Sequence, residues 1–339
     1  MQDYVTMPVN PTYHEIGYSK HYAVWLDSKS DRYRDYRRKW TENPKNFINE
    51  GYPINLDIEA SSACNLRCPM CPRTVMNYNR VGETIPSKHF DFELYKRIID
   101  EAADIGVYAI KLNWQGEPLM NPRIVDMVGY AKEKGIEDVI MNTNATLLTD
   151  EMSHGLIKAG IDKIFFSFDA PDKETYEKIR VGAKFDEVLA NIKRFHAIRK
   201  DLNCLGPATR ASMVMLPGNE TLLESYKALF REITDIVAYE DYIDFEKDYD
   251  ILDGRMDLRF ACPHLWQRMI IGVEGEIGVC CYDHKASFTV GNIKDTTIAA
   301  VWNSHKYDEL RFHHQNFLWH QIEICSRCPL ALFKSSGTA

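Results

Sequence analysis

The chain has 339 residues and a formal net charge of −8, with 45% hydrophobic and 27% charged residues. These proportions are ordinary for a folded protein of about two domains, and the negative balance excludes a general nucleic-acid binder, which would show a basic stripe. No apolar run approaches the length of a membrane span, and the first residues show no secretory leader. We therefore expect a cytoplasmic protein that binds neither nucleic acid nor membrane.

The first 50 residues are rich in aromatic and charged side chains. The run from Asp31 to Trp40 contains five basic residues, two tyrosines and a tryptophan, and it predicts a helix. We interpret residues 1–50 as an N-terminal helical extension. It is either a solvated helix packed on the main domain or a docking element.

From residue 54 onward, short apolar runs alternate with amphipathic stretches. The predicted strands are 54–58, 108–112, 139–141, 163–168, 210–215 and 236–239, and the predicted helices are one capped by Asp91 and those at 122–134, 149–159, 185–195 and 222–230. Repeated strand–helix units imply parallel strands with right-handed crossovers. Periodicity alone leaves the choice between an open sheet and a barrel undecided.

Residues 232–257 hold ten acidic and two basic side chains, so this segment carries the same net charge as the whole chain. One interpretation is a solvated linker between two domains. The other is a rim that attracts a cationic substrate. After this segment, glycines at 272, 275, 278 and 291 predict hairpins, and a helix is predicted at 297–313.

The nine cysteines are an odd number, and three of them lie within eight residues. Cys64, Cys68 and Cys71 form a C-x3-C-x2-C run directly after the first predicted strand. Clustered cysteines in a reducing compartment hold metals more often than they form disulfides. No fourth ligand for a structural zinc lies close by, so the run predicts an iron–sulfur cluster with one open iron.

This run, on a loop after the first strand of a β/α series, resembles that of the radical S-adenosylmethionine (SAM) superfamily, and the resemblance extends from about residue 54 onward. It implies a partial (β/α)6, TIM-like barrel at residues 51–250 and a [4Fe–4S] cluster on Cys64, Cys68 and Cys71. It also implies that the amine and carboxylate of SAM chelate the open iron. Reductive cleavage of the sulfonium then gives a 5′-deoxyadenosyl radical that abstracts hydrogen from a substrate.

The resemblance assigns further residues to SAM binding, most of them at strand ends. They are Met70, Gly116, Glu117, Pro118, Asn142, Thr143, Asn144, Ser167, Asp169, Arg180 and Arg210. The segment from Gln115 to Pro118 resembles the Gly-Gly-Glu-Pro motif that binds the methionine amine, with Gln115 in place of the first glycine. The alternative interpretation of the strand-end residues is that they are simple polar caps. For the two arginines, the alternative to binding the cofactor carboxylate is an ordinary ion pair.

Four later cysteines follow a second pattern. Cys262, Cys280, Cys325 and Cys328 give C-x12-G-x4-C and then C-x2-C, which resembles the SPASM/twitch extension of radical SAM enzymes. A full SPASM domain has seven cysteines, so the resemblance implies a single auxiliary [4Fe–4S] cluster with closed coordination in a subdomain at 251–339. A structural zinc on the same four thiolates is the alternative.

Two cysteines remain outside these patterns. Cys204 and Cys281 are interpreted either as inert buried thiols or as catalytic hydrogen-atom donors to a substrate radical, as in radical epimerases. Four histidines carry no motif spacing and are interpreted as packing or surface residues: His264, His284, His313 and His314.

Together these features predict an enzyme that abstracts hydrogen from a small polar molecule of the sugar or aminocyclitol kind. The expected outcome is dehydrogenation or epimerisation, with a flavodoxin or ferredoxin as electron donor. One alternative is a maturase of a ribosomal peptide, although such enzymes often carry two auxiliary clusters and a peptide-recognition domain. Another is a non-catalytic iron–sulfur protein, against which the open three-cysteine site followed by Glu117 argues.

Overall fold

The computed structural model describes residues 12–79, 87–244, 259–284 and 286–331. Its strands are β1 (Tyr13–Tyr18), β2 (Asn55–Ile58), β3 (Ala109–Lys111), β4 (Asp138–Thr143), β5 (Lys163–Ser167), β6 (Ala208–Met215), β7 (Ile236–Asp241), β8 (Arg268–Ile271), β9 (Glu276–Gly278) and β10 (Thr289–Asn292). They form a single sheet in the order β1-β7-β6-β5-β4-β3-β2-β8-β9-β10.

Helices connect these strands. They are α1 (Lys20–Asp27), α2 (Asp31–Asn46), α3 (Pro72–Asn79), α4 (Phe92–Ile105), α5 (Ile124–Glu133), α6 (Asp150–Ala159), α7 (Lys173–Ile179), α8 (Phe185–Asp201), α9 (Leu223–Phe230), α10 (Ile298–Trp302) and α11 (His305–Gln315). None of the helices in the described ranges is long and apolar enough to cross a membrane.

The six strands β2 to β7 are adjacent in chain order, and every neighbouring pair among them is parallel. The predicted α/β fold with a parallel core is therefore confirmed. Alternate residues of each strand, such as Leu56 and Ile110, pack in the main hydrophobic core with the helices. The intervening residues face the interior enclosed by the curved sheet, as the two-residue period of a strand requires.

The helix capped by Asp91 shows why the periodic pattern was informative. The Asp91 carboxylate accepts a hydrogen bond from the Leu94 backbone N–H at 2.7 Å, and α4 ends at Gly106 with a left-handed φ of 95°. Both ends therefore follow from local side-chain and backbone chemistry. The α4 face that contains Tyr95 and Ile98 is buried against the sheet.

The N-terminal extension contains the predicted helix α2, but it also contributes a strand that the sequence analysis did not predict. Strand β1 runs antiparallel to β7 and forms one edge of the sheet, with Tyr13 opposite Glu240. Helices α1 and α2 place Trp25, Tyr33 and Tyr36 in a second core with residues from the amino ends of the parallel strands. The extension therefore closes the end of the barrel that lies opposite the strands' carboxyl ends.

The C-terminal segment continues the same sheet at its other side. Strand β8 pairs in parallel with β2, and β9 and β10 follow as the antiparallel strands that the glycines predicted. The single helix predicted at 297–313 is instead two helices, α10 and α11, separated by Asn303 and Ser304. Ser304, in the extended conformation, precedes α11 as its N-cap residue and so ends the continuous helical path.

Candidate active site

A cleft of about 320 Å³ lies at the carboxyl ends of the parallel strands. Parallel α/β sheets place their ligands at this edge, and the volume is that of a small-molecule site. Most of the residues predicted to bind the cluster or the cofactor line it: Cys64, Cys68, Met70, Cys71, Gly116, Glu117, Asn142, Thr143, Asn144, Ser167 and Arg180.

The three-cysteine run forms a compact loop between β2 and α3. The Cys71 N–H donates to the Cys68 carbonyl at 3.0 Å, and the Arg67 N–H donates to the Val181 carbonyl at 2.9 Å. The three thiols are close enough to interact electrostatically, and burial raises the pKa of Cys68 to about 11. Three neighbouring thiolates in this setting need a strongly positive partner, which fits a metal cluster.

A single metal ion would need a tighter arrangement of donors. Across the described ranges, no group of three His, Cys, Asp or Glu side chains is arranged to hold one ion. A four-iron cluster spreads its cysteine ligands more widely than one ion does, and the thiols on the 64–71 loop share one wall of the cleft.

Arg180 lies beside the cysteine loop. Its Nη1 is 3.9 Å from the Cys68 Sγ, and its Nε donates to the buried Asp169 carboxylate. Asp169 in turn accepts the Val214 N–H at 2.9 Å. Asp169 therefore does not line the cleft but positions Arg180, which forms this ion pair and also lines the cleft. Binding of the cofactor carboxylate by Arg180 stays a prediction.

The turn after β3 brings Gly116 against the backbone that precedes the cysteines. A Cβ at Gly116 would lie 2.1 Å from the Ser61 carbonyl oxygen and 2.6 Å from that of Ala63, so only glycine fits. The Glu117 N–H donates to the Ala63 carbonyl at 2.7 Å. This close approach holds the Glu117 turn directly beside the loop. Pro118 starts a short 3-10 turn and is buried away from the cleft.

Glu117 is a buried carboxylate with three donors. Its Oε1 accepts from the Thr143 hydroxyl at 2.7 Å and from the Leu119 N–H at 3.1 Å, and its Oε2 accepts from the Asn144 N–H at 2.8 Å. Burial raises the pKa of Glu117, and these hydrogen bonds oppose the rise. Among the described residues it has no ion-pair partner. Its position beside the cysteine loop and the donors that favour its charged form fit an ammonium ligand in the cleft.

The next two strand ends supply polar groups of different kinds. The Asn142 Oδ1 is buried and has no hydrogen-bond partner within the described residues, so it is an open acceptor in the cleft wall. Asn144 is already engaged, because its Nδ2 donates to Asn65 Oδ1 at 3.0 Å and its Oδ1 accepts from Thr146. Ser167 lines the cleft at the end of β5.

The second cysteine group converges from three segments of the C-terminal part. Cys262, Cys325 and Cys328 pack around a small core that includes Phe260 and Trp319. The Cys280 thiol interacts electrostatically with Cys262, and burial raises its pKa to about 12. Four half-buried thiols whose thiolate charges would repel one another also fit a cationic centre.

Comparison with known proteins decides the family. The model of the radical SAM superfamily matches residues 58–224, and the model of the SPASM iron–sulfur cluster-binding domain matches residues 262–329. The chain is a radical SAM protein with a SPASM domain. Membership implies that it binds [4Fe–4S] clusters and SAM. The two matched segments contain the two cysteine groups.

Curated relatives extend over different shares of the chain. The tungsten-containing aldehyde ferredoxin oxidoreductase cofactor-modifying protein of Pyrococcus furiosus is 25% identical over 324 residues, which cover 80% of this chain and 86% of that protein. The GTP 3′,8-cyclase of Desulforamulus reducens is 33% identical over 140 residues, or 41% of each chain. The likeness to the GTP 3′,8-cyclase therefore covers less than half of either protein.

Solved structures show the same fold. SuiB of Streptococcus suis bound to precursor peptide SuiA aligns with a TM-score of 0.61 and 19% identity, over 81% of this chain and 70% of SuiB. BtrN in complex with AdoMet and 2-DOIA aligns with a TM-score of 0.55 and 20% identity, over 83% and 94%. At these identities the likeness concerns the fold alone.

Two predicted residues lie away from the cleft of this radical SAM protein. The Arg210 guanidinium stacks between Tyr13 and Phe165 at 4.5 and 3.8 Å, and its Nε donates to the Ser212 hydroxyl. Cys204 lies in the loop before β6, at the opposite end of the strands, with its Sγ 3.5 Å from the Leu202 carbonyl. The structure does not bring Arg210 to the cleft wall or Cys204 to the substrate side, so their predicted roles gain no support.

Cys281 lies beside the second cysteine group and next to the cleft-lining Trp114 of the radical SAM protein. Its Sγ is 3.8 Å from His264 Nδ1, and its carbonyl accepts the Trp114 Nε1–H at 3.4 Å. Trp114 lines the cleft. Burial raises the pKa of Cys281 to about 12, so this thiol retains its proton. His264 is buried beside it, in agreement with its interpretation as a packing residue.

Several wall residues were not predicted as site residues. Thr12, Tyr282 and Ile243 line the cleft, as do Glu240 and Asp241 from the acidic segment. Asp241 contacts the His14 Nε2 at 3.0 Å. The start of the acidic segment therefore lines the cleft. The linker and rim interpretations of the whole segment stay predictions, since residues 245–258 lie outside the described ranges. Thr12 reaches the wall through the pairing of β1 with β7, which no local sequence pattern specifies.

Proposed function

We propose that this radical SAM protein binds its cofactor in the cleft and abstracts a hydrogen atom from a small polar substrate, of the sugar or aminocyclitol kind. The single observation that carries the proposal is the Glu117 carboxylate. It is buried, lines the cleft together with the three thiols and forms no salt bridge among the described residues. Such a carboxylate suits the amino group of SAM, and a non-catalytic scaffold has no use for it.

Each role falls to a specific residue. Cys64, Cys68 and Cys71 hold the [4Fe–4S] cluster. When bound, the cluster supplies the electron that splits SAM into methionine and the 5′-deoxyadenosyl radical. Glu117 orients the methionine end by accepting from its ammonium. Asn142 Oδ1, the open acceptor, accepts from a hydroxyl or amino group of the cofactor or substrate.

The substrate class follows from the size and polarity of the cleft. A cleft of about 320 Å³ leaves little room beside a bound cofactor, which supports a small substrate over a peptide. Tyr242, Ile243 and Tyr282 wall this space and exclude water from the reacting carbon. Reducing equivalents come from a flavodoxin or ferredoxin.

The fate of the substrate radical separates two reactions. In dehydrogenation, the carbon that lost a hydrogen atom also loses a hydroxyl proton and one electron, giving a ketone; Cys262, Cys280, Cys325 and Cys328 hold the auxiliary cluster that accepts the electron. In epimerisation, a thiol returns a hydrogen atom to the opposite face and becomes a thiyl radical, which an external reductant restores. Cys281 is next to Cys280 and is electrostatically coupled to Asp57 and Lys111 inside the barrel, so it is our candidate for the thiol of the second reaction.

The test of the first step is the formation of 5′-deoxyadenosine. We expect the anaerobically reconstituted, reduced protein to contain about eight irons per chain and to cleave SAM. Cys68→Ala should abolish cleavage, and Cys204→Ala, a thiol remote from the cleft, should leave it intact. Zinc in place of iron at the first group, or full cleavage by Cys68→Ala, would refute the proposal.

The second step is tested with candidate aminocyclitols and sugars in D2O. Epimerisation places solvent deuterium on the product carbon, and this label should disappear in Cys281→Ala but not in Cys204→Ala. Dehydrogenation instead gives a ketone, and Cys281→Ala should form it as well as the wild type does. Cys328→Ser should lose ketone formation while it retains about four irons. If neither product forms and a peptide substrate is modified, the small-molecule assignment is wrong.

A further inference from the structure

A layer of charged side chains lies inside the barrel, beneath the cleft. On β2 and β3 the residues Leu56 and Ile110 pack outward in the main core, so their neighbours Asp57 and Lys111 face inward. Asp57 and Lys111 are register partners across these two strands. On β8, Arg268 is the register partner of Asn55, one step below on the same face.

This layer has three cations and two carboxylates: Lys111, Arg210, Arg268, Asp57 and Glu240. Arg268 Nη1 donates to Asp57 Oδ2 at 2.9 Å, and the other oxygen of Asp57 accepts from Asn55 at 2.9 Å. Arg210 is 3.5 Å from Glu240. Both carboxylates therefore already have an arginine partner.

Lys111 is the third cation of this layer, and neither carboxylate forms a salt bridge with it. Within the part of the chain that the structure describes, its ammonium has neither an ion pair within 4 Å nor a hydrogen bond. Burial and the nearby charges of Arg268 and Arg210 lower the pKa of Lys111, while Asp57 and Glu240 oppose them. A partly desolvated ammonium that has no counter-ion in a layer of paired charges is available to an anionic ligand.

The position of Lys111 connects it to the cleft. Asn113, two residues further along the chain from Lys111, lines the cleft, and its Oδ1 accepts from the Asn142 N–H at 3.3 Å. The Lys111 side chain keeps partial exposure and is electrostatically coupled to His264 and Cys281. Lys111 therefore lies beneath the cleft, two residues before a residue of its wall.

We propose that Lys111 binds an anionic group of the substrate, a carboxylate or a phosphate, inside the barrel. The inference rests on the proposed function and narrows the substrate from polar to anionic. An entering anion neutralises the surplus charge of the layer without displacing either arginine from its carboxylate. The acidic residues Glu240 and Asp241 at the wall repel the same anion, so its charged end is directed inward.

The experiment measures thermal unfolding of the reconstituted holoprotein with inorganic phosphate or acetate as probes, against chloride at equal ionic strength. We expect phosphate, acetate or both to raise the Tm of the wild type by mass action. Lys111→Met should lose this shift and, without anions, should be at least as stable as wild type. Lys111→Arg keeps the charge and should retain the shift, as should Lys178→Met, which removes an exposed lysine on α7.

Three results would overturn the inference. They are the absence of an anion-dependent shift in the wild type, an unchanged shift in Lys111→Met, and a large loss of SAM affinity in Lys111→Met by equilibrium dialysis. The last would assign Lys111 to the cofactor carboxylate. If Lys111→Met loses iron or fails to fold, Lys111→Gln decides, because it also removes the charge: loss of the anion-dependent shift supports the inference, and an unchanged shift overturns it. A failure of SAM cleavage with the anion shift intact would count against the proposed function alone.

Discussion

The Thr143 hydroxyl donates to Glu117 Oε1 at 2.7 Å, and this hydrogen bond joins the ends of two neighbouring strands. It fixes the direction of a buried carboxylate and favours its ionised form. The neighbouring Asn144 N–H, at 2.8 Å from Oε2, does the same for the other oxygen. The amine site thus depends on β4 as much as on the turn that carries Glu117.

The first prediction concerns this pair. Glu117→Gln keeps the size of the side chain but removes its charge, so SAM affinity should fall by about 2 kcal/mol or more, roughly 30-fold. Thr143→Val removes one donor and raises the Glu117 pKa further, so the loss should be about 5- to 10-fold. Equilibrium dialysis of the holoprotein measures both. Thr175→Val on α7 is the control, and equal losses in that variant would contradict the assignment.

Gly116 gives the second prediction. An alanine Cβ would lie 2.1 Å from the Ser61 carbonyl oxygen. This atom belongs to the backbone, which cannot move aside as easily as the end of a flexible side chain. Gly116→Ala should destabilise the protein by about 2–3 kcal/mol and displace Glu117. Denaturant unfolding and SAM binding report the two effects. Gly129→Ala on α5 is the matched control, because its Cβ would have an ordinary 3.9 Å contact with Ala159 and should be neutral or stabilising.

The third prediction concerns the charge beside the cluster. Arg180 Nη1 lies 3.9 Å from Cys68 Sγ, so its positive charge favours the reduced, more negative cluster. Arg180→Met should shift the reduction potential to more negative values by about 60 mV, which equals ~1.4 kcal/mol for one electron. Potentiometric titration followed by EPR measures this. The exposed Arg123→Met should leave the potential unchanged, and a positive shift in Arg180→Met would contradict the argument.

Much of this site followed from the sequence because its residues sit where a local pattern changes. Cys64 to Cys71 and the Glu117 turn each follow a predicted strand, so the strand–helix pattern placed them at strand ends, and the family resemblance supplied their roles. The pairing of Tyr13 with Glu240 is different. It joins segments more than 200 residues apart, and no local preference specifies it. Thr12 therefore could not be placed in the wall.

The charged layer inside the barrel could not be predicted from the sequence either, for a related reason. Lys111 ends a strand of only three residues, where a polar residue normally marks the boundary of the element. Its lack of a partner is visible only once Asp57, Arg268 and Glu240 are placed around it from other strands. The same holds for Cys281, whose neighbour His264 comes from a different segment.

Glu59 gives the last prediction. It is buried, its Oε2 accepts from the Val273 N–H at 3.0 Å, and its Oε1 has no partner among the described residues. Burial raises its pKa from 4.5 to about 7. The folded state therefore binds a proton more tightly than the unfolded state. This favourable contribution is complete below pH 4.5 and disappears as the pH rises through about 7.

Glu59→Gln keeps the hydrogen bond from Val273 and cannot ionise. It should be more stable than wild type at pH 8 by about 1–3 kcal/mol, and its unfolding free energy should vary less between pH 5 and 8. Denaturant unfolding of the holoprotein at the two pH values measures the difference. The exposed Glu274→Gln serves as a control, since the Lys88 ammonium lowers the pKa of Glu274, and its loss should not stabilise the protein at pH 8. Equal pH dependence in Glu59→Gln and wild type would mean that Glu59 is ionised in the folded state throughout this range.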